Sequence, residues 1–339
     1  MTFTSSHNPI PRRPKIVVAV PQPHRGLFFP ATAWNELEAV GILIALDDFA
    51  DYSNALREAE ISITSWGAPP LSAELLETAP RLRLLAHTGA SVKSLVTGAS
   101  WSRGIRVTQA GAAMAGPVAE RALAFTLMVL QGIGRASALM RTGDGWSEAR
   151  EMTRHELAGT TLGVVGASRT GRTFIRQVQA LGARVTLHDP YVSSEEAHSL
   201  GVELADLDTV LSSSRAVVLH APATPRTKHM IGARELALMT PGTALINTAR
   251  SWLVDSDALL SELKTGRIVA ALDVYDAEPL PMTSELRSLP NVVLTPHTAG
   301  NTEESRRRAG GIILSEIGRY LAGRPLEHEI CDTDLETMG

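Results

Sequence analysis

The chain has 339 residues, enough for two domains at the usual ~100–200 residues each. Its 44% hydrophobic and 20% charged residues describe a core-forming globular chain rather than a disordered one. A net charge of -4 offers no basic field for nucleic acid, and the single cysteine, Cys331, excludes an internal disulfide framework and a cysteine metal cage. No metal site is expected, and Cys331, near the C-terminus among acidic residues, reads as a bystander.

The first fifteen residues, MTFTSSHNPIPRRPK, have no apolar run or cleavage-site pattern and read as a flexible tail. Short β-branched runs then alternate with helical patterns, the arrangement of βαβ units around a parallel sheet. KIVVAV (15–20), ILIAL (42–46), ISITSW (61–66) and LRLLAH (82–87) read as buried strands. ATAWNELEAV, YSNALREAE and LSAELLETAP read as the intervening helices, the last with Ser72 as N-cap. A long helix is expected over about residues 117–140, with Pro117 suited to its first turn. Its apolar stretch ALAFTLMVL (122–130) is shorter than the ~20 residues that span a bilayer, so a cytoplasmic protein without a membrane partner is expected.

The alternation then restarts. TLGVVG (161–166), RVTLHD (184–189), AVVLHA (216–221), ALINTA (244–249), VAALDVY (269–275) and VVLTPH (292–297) form a second series of strands. A final helix, about residues 302–321, precedes an acidic tail. The expectation is an α/β protein of two doubly wound parallel-sheet domains with a cleft between them. The final helix is expected to return to the first domain, making that domain discontinuous.

The run GASRTG (166–171) nearly completes the dinucleotide fingerprint G-x-G-x-x-G, with Gly166 and Gly171 in the outer places and Ser168 in the middle one. A middle glycine lets the backbone approach the cofactor pyrophosphate. Ser168 crowds that approach slightly with its Cβ, and its hydroxyl can donate a hydrogen bond to the pyrophosphate. The context carries the motif: strand, turn, amphipathic helix and second strand follow in order. That second strand ends in Asp189, placed to hold a ribose 2′-OH and to repel a 2′-phosphate, so NAD(H) is expected and NADP disfavoured.

Three polar residues stand at or just beyond strand C-termini, where ligands bind in open parallel sheets. Arg250 follows INTA and offers a planar fork for a carboxylate. Glu278 and His297 follow neighbouring strands and can form a carboxylate–imidazole pair, which fixes the histidine tautomer and suits it to exchange a proton.

The blocks HTGASV (87–92), ELAGTTLGVVGASRTG (156–171), HDPY (188–191), HAPATPRT (220–227), MTPGTALINTARSWLVD (239–255), LDVYDAEPLP and NVVLTPHTAG (291–300) occur in the order and spacing of a known family. From about residue 60 to 322 the chain resembles the D-2-hydroxyacid dehydrogenases. The resemblance implies a Rossmann NAD-binding domain (117–298) and a flavodoxin-like substrate domain (1–116 plus 299–339). It implies that Arg250 binds the substrate carboxylate and polarises its carbonyl, with His297 as acid/base and Glu278 as its orienting partner. Ala90 and Ser91 match a loop whose N–H groups hold the carboxylate. Gly166, Ser168, Arg169, Thr170 and Gly171 match the turn over the pyrophosphate, Asp189 the ribose acid, and Pro222 and Thr227 the loop beside the adenosine. Thr248, Ala249 and Asp273 match contacts around the nicotinamide half, and Gly300 the end of the HTAG turn. A homodimer, with the long central helix near its interface, is also implied.

The implied reaction is hydride transfer from NADH to C2 of a 2-keto acid, His297 giving its proton to the developing alkoxide and Arg250 stabilising that charge. Closure of the two domains would exclude water. Some positions depart from the family's pattern: Ser91 and Lys93 stand where glycine and aspartate are usual, and Trp252 where a small residue is usual. Trp66 either shapes the substrate pocket or packs in the core. Two other readings stay open. A dehydrogenase of a small oxyanion is one, although Glu278 argues against formate and Ala90 stands where a phosphite enzyme carries lysine. The other is an NADH-sensing scaffold, whose extended interaction segments have no obvious counterpart here.

Overall fold

The computed structural model describes residues 13–141 and 145–336; most of the N-terminal stretch read as a tail lies outside them. The strands, in chain order, are β1 (Lys15–Ala19), β2 (Ile42–Ala45), β3 (Ile61–Thr64), β4 (Leu84–His87), β5 (Arg106–Gln109), β6 (Thr161–Val165), β7 (Arg184–His188), β8 (Glu203–Leu204), β9 (Ala216–Leu219), β10 (Ala244–Asn247), β11 (Val269–Leu272), β12 (Val292–Leu294) and β13 (Glu329–Ile330). Contacts divide the chain into two units, one comprising the residues up to Ala113 with Arg306–Leu335, the other Met114–Ser305. The boundaries expected from the sequence lay at 116/117 and 298/299.

The first unit holds a six-stranded sheet in the order β13-β5-β4-β3-β1-β2, parallel except for the antiparallel edge strand β13. The order 2-1-3-4-5 within it is that of the flavodoxin-like doubly wound fold. Central strands are apolar on both faces because helices cover both: β3 and β4 are buried along their whole length. The helix Glu303–Leu321 contributes Ala309, Ile313 and Ile317 to the core containing Ile16, Val18 and Phe28. Gly310 is required there, because a Cβ at that position would lie 1.8 Å from the Phe28 carbonyl oxygen. That helix begins with a reciprocal cap, in which Thr302 N–H donates to Ser305 Oγ and Ser305 N–H to Thr302 Oγ1, both 3.1 Å.

The second unit is a seven-stranded parallel sheet in the order β12-β11-β10-β9-β6-β7-β8. Starting from β6, this is the 3-2-1-4-5-6 order of a Rossmann fold, with β12 added at the edge, and the strand order reverses between β6 and β9. The helix Ala115–Leu130 places Ala119, Ala122, Phe125 and Leu130 in this unit's core with Phe174, Val164 and Ile246.

Two expectations are corrected here. The long helix expected over 117–140 is two helices, Ala115–Leu130 and Ile133–Leu139, because Gly132 adopts a left-handed φ of 62° that ends the first. Continued backwards by its 3-10 turn, the helical run Gly111–Leu130 is 20 residues with mean hydropathy 1.4, long and apolar enough to cross a membrane by composition. The nine-residue apolar run understated it because small residues extend the helix; its Ala and Phe side chains are spent on the core described above.

Candidate active site

The turn after β6 lies at the reversal of strand order. Gly166 has φ 98°, and a Cβ there would lie 2.4 Å from Ala221 N, so the turn presses against the end of β9. A Cβ on Gly171 would lie 2.2 Å from Gly166 O, so the outer glycine is what lets the helix Arg169–Ala180 start this close to the strand. Ser168 fits because the middle position has φ -59° and ψ 174°, open to any residue, and its side chain points to no backbone clash of that kind. Ser168 is the N-cap of the helix: its Oγ accepts from Gly171 N–H at 3.3 Å. Among the described residues, the N–H groups of Arg169 and Thr170 in that first turn have no acceptor within the protein. Free N–H groups at a helix N-terminus are suited to an anion.

Asp189, just beyond β7, is tied to this turn. One carboxylate oxygen accepts from Ala167 N–H at 2.6 Å and the other from Tyr191 N–H at 2.9 Å. Across the reversal, Thr227 Oγ1 donates to Pro222 O at 2.7 Å, which closes the loop after β9. Trp252, unusual for its position, reaches this same loop: its indole N–H donates to Thr224 O at 2.8 Å, and Lys228 Nζ lies 5.0 Å from its ring centroid.

Beyond β10, Asn247 shapes the approach to Arg250. Its side-chain oxygen accepts from Ala249 N–H at 3.0 Å and its amide donates to Arg250 O at 2.8 Å. Arg250 Nη1 donates to Ala249 O at 2.7 Å. Burial lowers the Arg250 guanidinium from its ordinary value and the neighbouring Glu278 carboxylate opposes that shift. Thr248 Oγ1 is buried and has no protein partner among the described residues.

Glu278 and His297 meet. Nδ1 of His297 lies 2.7 Å from Oε2 of Glu278, while Oε1 accepts from Tyr275 N–H at 3.0 Å. His297 has φ 51°, a left-handed conformation uncommon outside glycine, so the loop around it must be held. Asp273 holds it. This fully buried carboxylate accepts from the Thr295 hydroxyl, from Thr298 N–H at 3.1 Å and from Ala299 N–H at 2.8 Å, with Arg121 3.6 Å away. Tyr275 adds a second tie: its hydroxyl reaches Leu272 O at 2.9 Å and Thr295 O at 2.8 Å, bridging the ends of β11 and β12. Gly300, which ends the loop, sits against Met114 and Val118, 3.3–3.4 Å from where its Cβ would be.

Arg250, Glu278 and His297 are thus brought to one end of the second unit's sheet, with the glycine turn, Asp189, Pro222 and Thr227 at the strand ends beside them. Ala90 and Ser91 belong to the first unit, in the turn after β4, and their N–H groups have no acceptor among the described residues. Lys93 is exposed. Asn247, Tyr275, Thr295 and Arg121 were not singled out by sequence. Asn247, Tyr275 and Thr295 lie inside the family-like blocks, but an amide, an aromatic and a hydroxyl residue beside strand ends carry no chemical signature until the loops they tie are seen.

The model of the family described as "D-isomer specific 2-hydroxyacid dehydrogenase, NAD binding domain" matches residues 123–299. The chain is 34% identical over 277 residues to a D-3-phosphoglycerate dehydrogenase of Methanocaldococcus jannaschii, an alignment covering 81% of this chain and 52% of that protein. It therefore spans about half the length of that relative. With a glyoxylate reductase of Thermococcus litoralis it is 31% identical over 325 residues, 92% of this chain and 95% of that one. Among solved structures, a D-2-hydroxyisocaproate dehydrogenase superposes with a TM-score of 0.83 at 25% identity, covering 93% of this chain and 99% of the other.

Proposed function

Since this chain belongs to the D-isomer specific 2-hydroxyacid dehydrogenase family, we propose that it interconverts a 2-keto acid and the D-2-hydroxy acid with NAD(H). The observation that carries this reading is the contact of His297 with Glu278 at the strand ends that also present Arg250. The residues present fit a dinucleotide: two glycines without room for a Cβ, a helix N-terminus with unengaged N–H groups, a carboxylate at the second strand's tip, and a buried Thr248 hydroxyl awaiting a partner. When bound, NADH supplies the hydride that reduces C2.

The chain's own residues supply the rest. Gly166, Ser168, Arg169, Thr170 and Gly171 cradle the pyrophosphate, and Asp189 meets the adenosine ribose. NADPH would bring its 2′-phosphate against that carboxylate, so NADP is disfavoured. Pro222 and Thr227 flank the adenosine; Thr248, Ala249 and Asp273 serve the nicotinamide side, Asp273 through the loop it holds. The Arg250 fork binds the substrate carboxylate and opposes charge growing on the carbonyl oxygen. The resemblance assigns the Ala90 and Ser91 N–H groups to the same carboxylate. With Nδ1 committed to Glu278, His297 gives the proton on Nε2 to the oxygen as C2 gains hydride, so keto acid, NADH and one proton become hydroxy acid and NAD+.

The substrate proposed is a small 2-keto or 2-hydroxy acid, with no nucleic-acid or membrane partner proposed; the homodimer rests on the family resemblance alone. Initial rates with 2-keto acids and NADH or NADPH test the reading. Turnover with NADH, lost in Arg250→Ala, supports it, and preference for NADPH would refute the role of Asp189.

A further inference from the structure

Trp66 follows β3 in the first unit and is 54% exposed, an unusual position for the largest apolar side chain. Its ring is fixed rather than loose. It packs against the buried Phe28 at 6.0 Å between centroids and edge-on to His87 at 6.1 Å. Its other contact is the turn after β4: a Cβ on Gly89 would lie 3.1 Å from Trp66 Cε2 and 2.4 Å from His87 Nε2. The clash with His87 is what keeps this residue a glycine, and the indole lies close beside it; it precedes Ala90 and Ser91, whose N–H groups point to a carboxylate in the proposed function.

We propose that Trp66 is the specificity-determining residue of this site, a fixed aromatic platform for the C3 substituent of the substrate, so that the substrate class is 2-keto acids with a branched or aromatic apolar side chain. The inference rests on the proposed 2-keto acid reduction and deepens it. A carboxylate seated on the Ala90–Ser91 turn places the rest of a small acid within a few ångströms of the adjoining ring, and an aromatic face rewards apolar contact. A residue serving only the core would be covered; one that plugged the space would be buried by what it plugged. The platform also carries no charge to meet a phosphate. His87 beneath it is buried, which holds its imidazole neutral down to about 4, with Nδ1 engaged by Thr64 Oγ1 at 3.1 Å. This sets the chain apart from a relative named for phosphoglycerate.

The test is kcat/KM with saturating NADH for pyruvate, 4-methyl-2-oxopentanoate, phenylpyruvate and 3-phosphohydroxypyruvate, in the wild type, Trp66→Ala and Trp66→Phe. The wild type is expected to favour the branched and aromatic acids. Trp66→Ala is expected to lower their kcat/KM about tenfold or more while changing pyruvate less than about threefold, and Trp66→Phe to restore most of the loss. Wild-type preference for 3-phosphohydroxypyruvate or pyruvate, or a phenylpyruvate-to-pyruvate ratio that rises or stays put in Trp66→Ala, overturns this inference and leaves the proposed function standing. No turnover of any of the four acids overturns both. If Trp66→Ala does not fold, the same ratio in Trp66→Leu decides, since leucine keeps an apolar surface and removes the aromatic face.

Discussion

Oε2 of Glu278 sits 2.7 Å from Nδ1 of His297, and the same carboxylate is anchored on its other side by the Tyr275 N–H. The carboxylate is therefore aimed before any substrate arrives, and the imidazole has one nitrogen left for chemistry. His297→Ala is expected to lower kcat about 10²–10⁴-fold with a smaller change in KM, because it removes the proposed proton donor. Glu278→Gln keeps the shape but not the charge, and a fall in kcat of about tenfold or more is expected. Steady-state kinetics of both variants check this, and unchanged kcat in His297→Ala would remove it from the mechanism.

The loop that carries His297 makes a separate prediction. Tyr275→Phe deletes only the hydroxyl that bridges Leu272 O and Thr295 O. One such bond contributes about 1 kcal/mol, so a small loss of stability is expected with a fall in kcat of several-fold and little change in the KM for NADH. Denaturant titration and kinetics on the same sample separate the two effects. Equal kcat would show that the Asp273 contacts alone hold the left-handed His297.

Ser168 tests the phosphate turn. Its hydroxyl caps the helix through Gly171 N–H, and replacing a serine cap by glycine costs only a few tenths of a kcal/mol. Ser168→Gly is expected to bind NADH about as well as wild type. Ser168→Val keeps the Cβ and loses the cap, about 1 kcal/mol, and is expected to bind several-fold more weakly. Fluorescence titration with NADH compares the three; equal affinity would mean that the position never meets the pyrophosphate.

Most of the sheet strands were legible because parallel strands buried on both faces read as continuous apolar runs. β5, with the sequence RVTQ, and the two-residue edge strands β8 and β13 were not, since short or polar strands lack that run. The break at Gly132 was hidden because the apolar pattern continues past it on both sides, and only the backbone angle ends the helix. In the site, Arg250, Glu278 and His297 were legible as polar groups at strand ends. Asp273 was read for the cofactor alone, while its carboxylate also ties Thr295, Thr298 and Ala299. That second task depends on where the next strand's loop lies, which spacing along the chain does not encode.

Two buried imidazoles give the fold an acid limit. Burial lowers His87 from 6.5 to about 4 and His220 from 6.5 to about 3. The unfolded chain takes up protons near pH 6.5 where the folded one does not. Their contribution is thus complete above that pH and is lost as pH falls towards 4 and then 3. For His87 the shift corresponds to about 3 kcal/mol. Denaturant midpoints at pH 7.5 and pH 5 are expected to differ less in His87→Asn than in wild type. An equal loss would show that His87 titrates as an exposed group.

Chiral analysis of the product is the decisive measurement for D-specific reduction of a 2-keto acid. NADH and a 2-keto acid that the protein turns over are incubated together, and the hydroxy acid is resolved on a chiral column against the NADH consumed. One D-2-hydroxy acid per NADH oxidised is expected, with no product above background in Arg250→Ala. An L-hydroxy acid, a racemic mixture, or NADH oxidation without hydroxy acid would contradict it.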